Sequence, residues 1–496
     1  MKRLAMAVAL LTLTGTLDLH TPLKAQKSAS PSRKGANGSG INFEGAANVM
    51  NRAARPVALL RNDEAQRTDV LAQSDGLPRH RIIGLTVGPT DIKAPENRRM
   101  NPPTVKSVAA GGAAEAAGIQ PGDVVSEVDT LPVDTSADFV RLIGRHLAGD
   151  QVRVGLVRAG EKISKTATLK PHPFEITPDA SVLYRSVQVE GARRRVIVTR
   201  PNAPGRYPAV LLIGGLGCYS LDGELMRDIG YGPILRALLK HGFVTMRVEK
   251  TGEGDSEGPA CTDGHATAEL EAEGYVAALR ALKGYNFVES DKVFIFAHSL
   301  GPLIAALVLP QESVRGVVAA ETIGRRWFEY GLENVRRQSS LAGEPPDQVD
   351  AEVRAHEKCA HHFYVLHEPA EAVVKLGEQC GEMIRSYAGV PSTYMQQIGD
   401  FSLAKQWKQI DVPVLVIYGT SDPATSADEG RYLVEIINTF HPGRASFVEL
   451  PGMGHDFARY SSQAEYLRRR HDGRPHPFDD EALVVLTKWM DEQSDT

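Results

Sequence analysis

Lys292-Val-Phe-Ile-Phe-Ala-His-Ser-Leu-Gly-Pro302 is the stretch on which the reading of this chain turns. The unbroken apolar run Val293 to Ala297 predicts a strand buried on both faces, and a helix is expected after Ser299. Small residues stand two places before and two places after the serine, at Ala297 and Gly301. A serine on so sharp a strand-to-helix turn presents its hydroxyl at the top of a sheet, and bulkier neighbours would collide with adjacent backbone. The turn also aims the Leu300 N–H at the point where charge develops on an attacked carbonyl oxygen. Ser299 is therefore the candidate nucleophile.

A hydroxyl attacks poorly until a base takes its proton. Ala445-Ser-Phe-Val-Glu-Leu450 reads as the last strand, and Pro451-Gly-Met-Gly-His455 is the loop after it, which makes His455 the candidate base. The base needs a partner that orients the ring and stabilises its cation. Val414-Leu-Val-Ile-Tyr418 is another buried strand and Gly419-Thr-Ser-Asp-Pro423 follows, so Asp422 is that candidate; the same Ser-Asp-Pro context also suits a turn-capping role. Asp456 and Glu449 lie near His455 in sequence but in the wrong places for the task. A second oxyanion donor is expected in Ile213-Gly-Gly-Leu-Gly-Cys-Tyr219, at Leu216 with Gly217 as the rival.

From about residue 180 onward, apolar runs alternate with helical segments. Candidate strands are 195–199, 209–213, 243–248, 292–297, 316–320, 412–418 and 445–450, with helical stretches such as 266–283 between them. That alternation predicts an α/β fold with a doubly wound, mostly parallel sheet. Residues 325–408 interrupt it; they are polar and helix-rich, and are expected to lie over the carboxyl edge of the sheet as a helical lid. The elbow, the chain order Ser299, Asp422, His455, and the loop Val248-Glu-Lys-Thr-Gly-Glu-Gly-Asp-Ser-Glu-Gly258 resemble the α/β-hydrolase family across roughly residues 185–496. The resemblance implies hydrolysis through an acyl-enzyme, and within the family it is nearest to esterases with a helical cap.

Residues 80–171 form a separate unit. Ala117-Gly-Ile-Gln-Pro-Gly-Asp123 describes a short helix stopped by glycine, a Pro-Gly turn and a strand. A second helix, roughly Ser136 to Leu147, precedes a strand over 151–158. With these neighbours the turn resembles a bacterial PDZ domain, a small α+β fold. The resemblance implies that a peptide could add as a strand beside the second helix, with Gly84, Leu85 and Thr86 in the loop that holds its end.

The chain carries a net charge of −5 over 496 residues, with 42% hydrophobic and 24% charged residues, which fits folded domains and offers no nucleic-acid-binding surface. Lys2 and Arg3, the apolar run Leu4 to Leu17, and Leu23 with Ala25 have the layout of a secretory signal peptide over residues 1–25. An uncleaved anchor is the alternative, although the run is shorter than the ~20 residues that span a bilayer. Export to the periplasm or medium is the expectation. Residues 26–79 read as a linker, beginning with the Ser-, Gly- and Lys/Arg-rich tether 26–40. Four cysteines permit two disulfides; Cys218 with Cys261 in the core and Cys359 with Cys380 in the lid is the favoured pairing, against four reduced thiols.

Neither a cofactor nor a metal is expected. Gly252, Gly254 and Gly258 miss the dinucleotide spacing by one residue. In the lid, His356 and His361 stand five apart rather than the four that share a helix face. Three functions remain open: a carboxylic-ester hydrolase, a serine peptidase whose PDZ-like domain gathers peptide tails, and an inactive adaptor. The expected partners are an ester or peptide substrate and a peptide or protein tail at residues 84–86.

Overall fold

The computed structural model describes residues 75–88, 102–387, 389–469 and 476–495. The expected signal peptide, the tether and residues 41–74 lie outside the described residues, as does Arg470.

The first unit is an antiparallel sheet with a separate two-stranded ribbon beside it. Its strands are β1 (Arg81–Ile82), β2 (Leu85–Gly88), β3 (Thr104–Val108), β4 (Val124–Val128), β5 (Leu131–Pro132), β6 (Gln151–Arg158), β7 (Glu161–Thr168) and β8 (Lys170–Pro171). They run in the order β2-β3-β4-β6-β7, with β5 on β4 and β1 paired to β8. The Ala-Gly-Ile-x-Pro-Gly-Asp turn follows from its residues. Gly118 sits at φ +72°, a region that suits glycine, and ends the short helix Ala113–Ala116. Asp123 is buried, accepts the Gln120 N–H at 2.9 Å, and is gripped by Arg158 from β6 through Nε and Nη2, each at 2.7 Å. The turn is thus tied across the sheet. The second helix is shorter than expected, Ser136–Ile143 rather than through Leu147. Thr135 caps its start by accepting the Asp138 N–H, and Gly144 ends it.

The second unit is an eight-stranded sheet built from β9 (Ala180–Val189), β10 (Ala192–Pro201), β11 (Tyr207–Ile213), β12 (Val244–Val248), β13 (Val288–His298), β14 (Gly316–Ala320), β15 (Val414–Gly419) and β16 (Ala445–Leu450). Their order is β16-β15-β14-β13-β11-β12-β10-β9. The strands from β16 to β12 are parallel, and β9 and β10 form an antiparallel hairpin at one edge. Every residue of β12, β14 and β15 is buried, because helices cover both faces and leave no polar side. Two apolar cores result, one per face. Leu211, Ile295 and Val416 join the face carrying the helix Ala268–Lys283, and Leu212, Phe296 and Ile417 join the face carrying Tyr231–Lys240. The alternation of these neighbours is the period-2 pleat.

The interruption between β14 and β15 is wholly helical among the described residues. It comprises Trp327–Leu341, Pro346–Ala360, a π-turn His361–Val365, and four shorter helices ending at Trp407. Disulfides join Cys218 to Cys261 and Cys359 to Cys380, with Cα separations of 5.5 Å and 5.1 Å.

Residues 75–79, grouped with the linker on sequence, are packed onto the second unit. The Arg79 guanidinium lies 2.5 Å from both Asp222 and Asp255 and covers the Tyr184 ring at 4.5 Å. His80 adds a hydrogen bond to Asp255 at 2.9 Å, and Arg195 donates to Asp75, Leu77 and Asp255. The joint between the two units is a desolvated ion cluster rather than a loose tether.

Candidate active site

The carboxyl ends of β13, β15 and β16 bring the three candidates together. Ser299 directly follows β13 at φ +59°, a left-handed conformation that costs a non-glycine residue energy and persists only where its surroundings impose it. Two hydrogen bonds impose it here: Ser299 N–H donates to Ala320 O at 2.9 Å, and Thr322 Oγ1 donates to Ser299 O at 2.8 Å. The space around the turn is as restricted as the sequence implies. A Cβ on Gly301 would stand 2.5 Å from Ile213 O, and one on Gly215 would stand 3.1 Å from the Ser299 Cβ.

His455 Nε2 is 3.1 Å from Ser299 Oγ, and its Nδ1 is 2.8 Å from Asp422 Oδ2. All three residues are nearly or fully buried. Asp422 also accepts the Ala424 N–H at 2.6 Å and the Thr425 hydroxyl at 2.5 Å. Burial alone would raise its pKa, but His455 and these donors outweigh burial and hold the carboxyl well below the usual range. An ionised Asp422 fixes the proton of His455 on Nδ1 and leaves Nε2 free to accept from Ser299. The two carboxylates near His455 in sequence are engaged elsewhere, Asp456 with the Tyr460 hydroxyl and Glu449 with Arg431.

Leu300 and Leu216, expected on sequence to supply N–H groups to an oxyanion, both lie next to residues packed around Ser299. Leu300 opens the helix Gly301–Val308 directly after Ser299, and Gly215 places Leu216 beside the nucleophile. The Gly214–Tyr219 loop is held from several sides. Lys250 Nζ and the Tyr219 hydroxyl both donate to Gly215 O, at 3.0 Å and 3.3 Å, and Cys218 is bonded to Cys261. Glu249, buried below, accepts from the Ser220 hydroxyl at 2.6 Å and from the N–H groups of Leu221 and Asp222. Burial pushes its carboxyl up to about 8.

His298 and Tyr231 were not visible as site residues in the sequence. The Gly215 N–H donates to Tyr231 Oη at 3.3 Å, Tyr231 donates to His298 Nδ1 at 2.9 Å, and His298 Nε2–H donates to His455 O at 3.0 Å. This chain of bonds assigns the His298 tautomer and links the Gly214–Tyr219 loop to the loop that carries His455. Burial, then the neighbouring His455, push the His298 pKa well down, so it works as a neutral strut. A histidine one place before a candidate nucleophile is the sequence signal that could have found it.

The helix Trp327–Leu341 lies against Ser299. A cavity of about 10 Å³ opens on Ser299, walled by Leu300, Ile323, Trp327, Tyr330 and Ala424. The helix Trp327–Leu341 is fastened to the Asp422 loop: Tyr330 and Asn334 donate to Ala424 O at 2.8 Å and 2.7 Å, and Gln338 and Arg337 donate to Pro423 O.

In the first unit, Leu85 and Thr86 lie within β2, opposite Val108 and Ser107, and only Gly84 remains in the loop before it. Gly84 is at φ +76° with its carbonyl accepting the Ala109 N–H at 2.8 Å. Among the described residues β2 is the edge of its sheet, so its outer N–H and C=O groups face no partner strand. In the lid, His356 packs against Gly331, whereas His362 pairs with Glu368 and His367 with Asp400, so these lid histidines do not converge.

A family model for the PDZ domain matches residues 83–169, and one for the alpha/beta hydrolase family matches residues 210–469. The chain belongs to the alpha/beta hydrolase family. This hydrolase is similar to Esterase EstD of Thermotoga maritima, with 23% identity over 300 residues, or 59% of this chain and 64% of that protein. The chain thus matches less than two thirds of that relative's length. A probable periplasmic serine endoprotease, DegP-like, of Halomonas elongata is 32% identical over 104 residues, or 20% of this chain and 22% of that one. Among solved structures, Est1E from Butyrivibrio proteoclasticus with bound ferulic acid aligns with a TM-score of 0.39 and 14% identity, covering 63% of this chain and 99% of that one.

Proposed function

We propose that this hydrolase is an exported serine esterase that cleaves carboxylic esters of short acyl groups through an acyl-enzyme. The observation that carries the reading is the buried relay from Ser299 Oγ to His455 at 3.1 Å and from His455 to Asp422 at 2.8 Å, beside a serine held at φ +59°. In this mechanism Ser299 Oγ attacks the acyl carbonyl while His455 Nε2 takes its proton. The carbonyl oxygen gains a negative charge opposite the N–H groups of Leu300 and Leu216. Collapse of the tetrahedral species breaks the bond to the alcohol oxygen, which leaves with the proton from His455. Water then enters by the same route: His455 takes its proton, the hydroxide adds to the acyl carbon, and the acid departs as Ser299 recovers its hydrogen.

The size of the space above the nucleophile supports a short acyl group. At about 10 Å³ it has room for roughly one water molecule, and apart from Ser299, Thr425 and His455 its walls are largely apolar. Longer chains need Trp327 or Tyr330 to move. Export is supported by two disulfides, which persist in oxidising compartments. The position of β2 at the sheet edge among the described residues supports a peptide or protein tail as the partner of the PDZ domain, by addition of a strand.

The test is hydrolysis of a chain-length series of aryl esters by the purified protein and by Ser299→Ala, beside aminoacyl and peptidyl anilides. Ester turnover that is fastest for short acyl groups and lost in Ser299→Ala is expected. Rapid anilide cleavage lost in the same variant would make the protein a peptidase.

A further inference from the structure

Glu321 has no part in the mechanism above, yet it is placed at its centre. It follows β14 directly, at φ +49°, and is fully buried. Its two neighbours in sequence hold the nucleophile, Ala320 by accepting the Ser299 N–H and Thr322 by donating to Ser299 O. Its own N–H donates to Ile417 O at 2.9 Å, and its Oε1 accepts the Gly419 N–H at 2.8 Å. Both acceptors and donors belong to β15, the strand that delivers Asp422. Oxygens of Glu321 and Asp422, and a ring nitrogen of His455, lie within 4.8 Å of one another.

Two buried carboxyl groups this close do not both ionise. Asp422 is the one supplied with donors, from His455, Ala424 and Thr425. Glu321 Oε2 is a buried oxygen that accepts from no N–H or O–H group, and no lysine or arginine is paired with Glu321 among the described residues. An unpartnered buried acceptor is costly, whereas an O–H at that position has an acceptor waiting in Asp422. We propose that Glu321 is a positioning residue of the triad: its carboxyl is protonated and donates its O–H to the Asp422 carboxylate, fixing that group and moderating the pull it exerts on the His455 Nδ1 proton. Burial, then the adjacent Asp422, raise the Glu321 pKa well above the carboxylate range, in agreement with the geometry. The groups around it are Asp422, Thr425, His455 and the Tyr418 hydroxyl; beyond them stand neutral His298, and Arg337, which is bonded to Glu333 and Pro423.

The inference rests on the reading of Ser299, His455 and Asp422 as a triad, and the experiment separates the two. Glu321→Gln keeps an acceptor for Gly419 and an N–H donor for Asp422, whereas Glu321→Leu keeps neither. Glu321→Gln is expected to retain ester kcat within about threefold of wild type, with the acid limb of its pH profile in place. Glu321→Leu is expected to lose about tenfold or more in kcat. Its acid limb moves to higher pH, because an unmoderated Asp422 makes His455 more basic. A merely structural role would leave that limb unmoved. The infrared difference spectrum between wild type and Glu321→Gln gives a readout independent of turnover and of whether Glu321→Leu folds. It is expected to show the carbonyl stretch of a protonated carboxyl in the wild type alone. Loss of activity in Glu321→Gln as deep as in Glu321→Leu, an unmoved acid limb in Glu321→Leu, or a difference spectrum showing an ionised carboxylate would each overturn the proposal. A chain whose Ser299→Ala variant is as active as wild type, but whose spectrum shows the protonated carboxyl, would overturn the triad and leave the protonated Glu321.

Discussion

Gly301→Ala is a single added methyl group at the point where the fold leaves no space. The new Cβ would lie 2.5 Å from Ile213 O and 3.1 Å from Gly214 O, both rigid backbone atoms. Ordinary contact begins near 3.4 Å, so the two segments must separate by roughly 0.9 Å. One segment is the start of the helix Gly301–Val308, which carries the Leu300 N–H. The other is the strand end that leads to Leu216. The strain therefore falls on the distance between the two N–H groups proposed to hold the oxyanion. A displacement of ~1 Å at reacting groups costs about 10²-fold, and loss of one donor costs about 10²–10³-fold. We expect kcat to fall by about 100-fold in aryl-ester hydrolysis, with KM changed by less than about threefold, because the lost interaction exists only in the transition state. Overpacking is expected to remove about 1–3 kcal/mol of stability, seen as a lower melting temperature. A variant with kcat within about twofold of wild type and an unchanged melting temperature would refute the argument that Gly301 and the oxyanion loop share this space.

Other perturbations act on other links. Asp422→Asn should lower kcat by about 10³–10⁴-fold with the fold intact, since the amide lets the His455 tautomer reverse; steady-state kinetics and circular dichroism check it together. Trp327→Ala should enlarge the cavity over Ser299 and move the optimum of a C2–C10 ester series toward longer chains; an unmoved optimum would separate Trp327 from acyl selection. Reducing the Cys218–Cys261 bridge, which closes a segment with a sequence separation of 43, should cost about 3–4 kcal/mol. It should also lower kcat by freeing the oxyanion loop, and a Cys218→Ser, Cys261→Ser pair tests both effects. Glu249 binds its proton with a pKa of about 8 in the folded chain against an ordinary value of 4.5. Its contribution to stability is therefore full below the ordinary value and is lost as pH rises toward 8, at about 1.4 kcal/mol per unit. Urea unfolding at several pH values should show a shallower decline in Glu249→Gln than in wild type.

The parts of this molecule that were legible in its sequence are those with local causes. A strand buried on both faces has to be an apolar run, so β11 to β15 could be read directly. The nucleophile elbow requires small residues at fixed places, so Ala297, Ser299 and Gly301 marked themselves. The hairpin of β9 and β10 was less visible because it lies at a sheet edge, where half-exposed Arg185 and exposed Gln188 interrupt the apolar pattern. The second PDZ helix ended early because Gly144 caps it, although apolar Leu147 continued the periodicity. The supporting residues were hidden for a different reason. Tyr231, His298, Glu249 and Glu321 are distant in sequence and acquire their roles from hydrogen bonds that only the folded chain makes. A trace of them was present: Glu249 and Glu321 each follow the last residue of a fully buried strand, β12 and β14, where an unpaired carboxyl has to find a partner. Arg79 carried no such signal, because its partners Asp222 and Asp255 belong to the other domain.

The most direct test of the account is covalent. The full chain and its Ser299→Ala variant would be treated with a reactive aryl ester under rapid-quench conditions and digested for mass spectrometry. The account predicts a burst of phenol equal to the enzyme concentration and an acyl adduct on the peptide containing Ser299, with both absent from the variant. Ester hydrolysis without an adduct on Ser299, or equal turnover by Ser299→Ala, would contradict it.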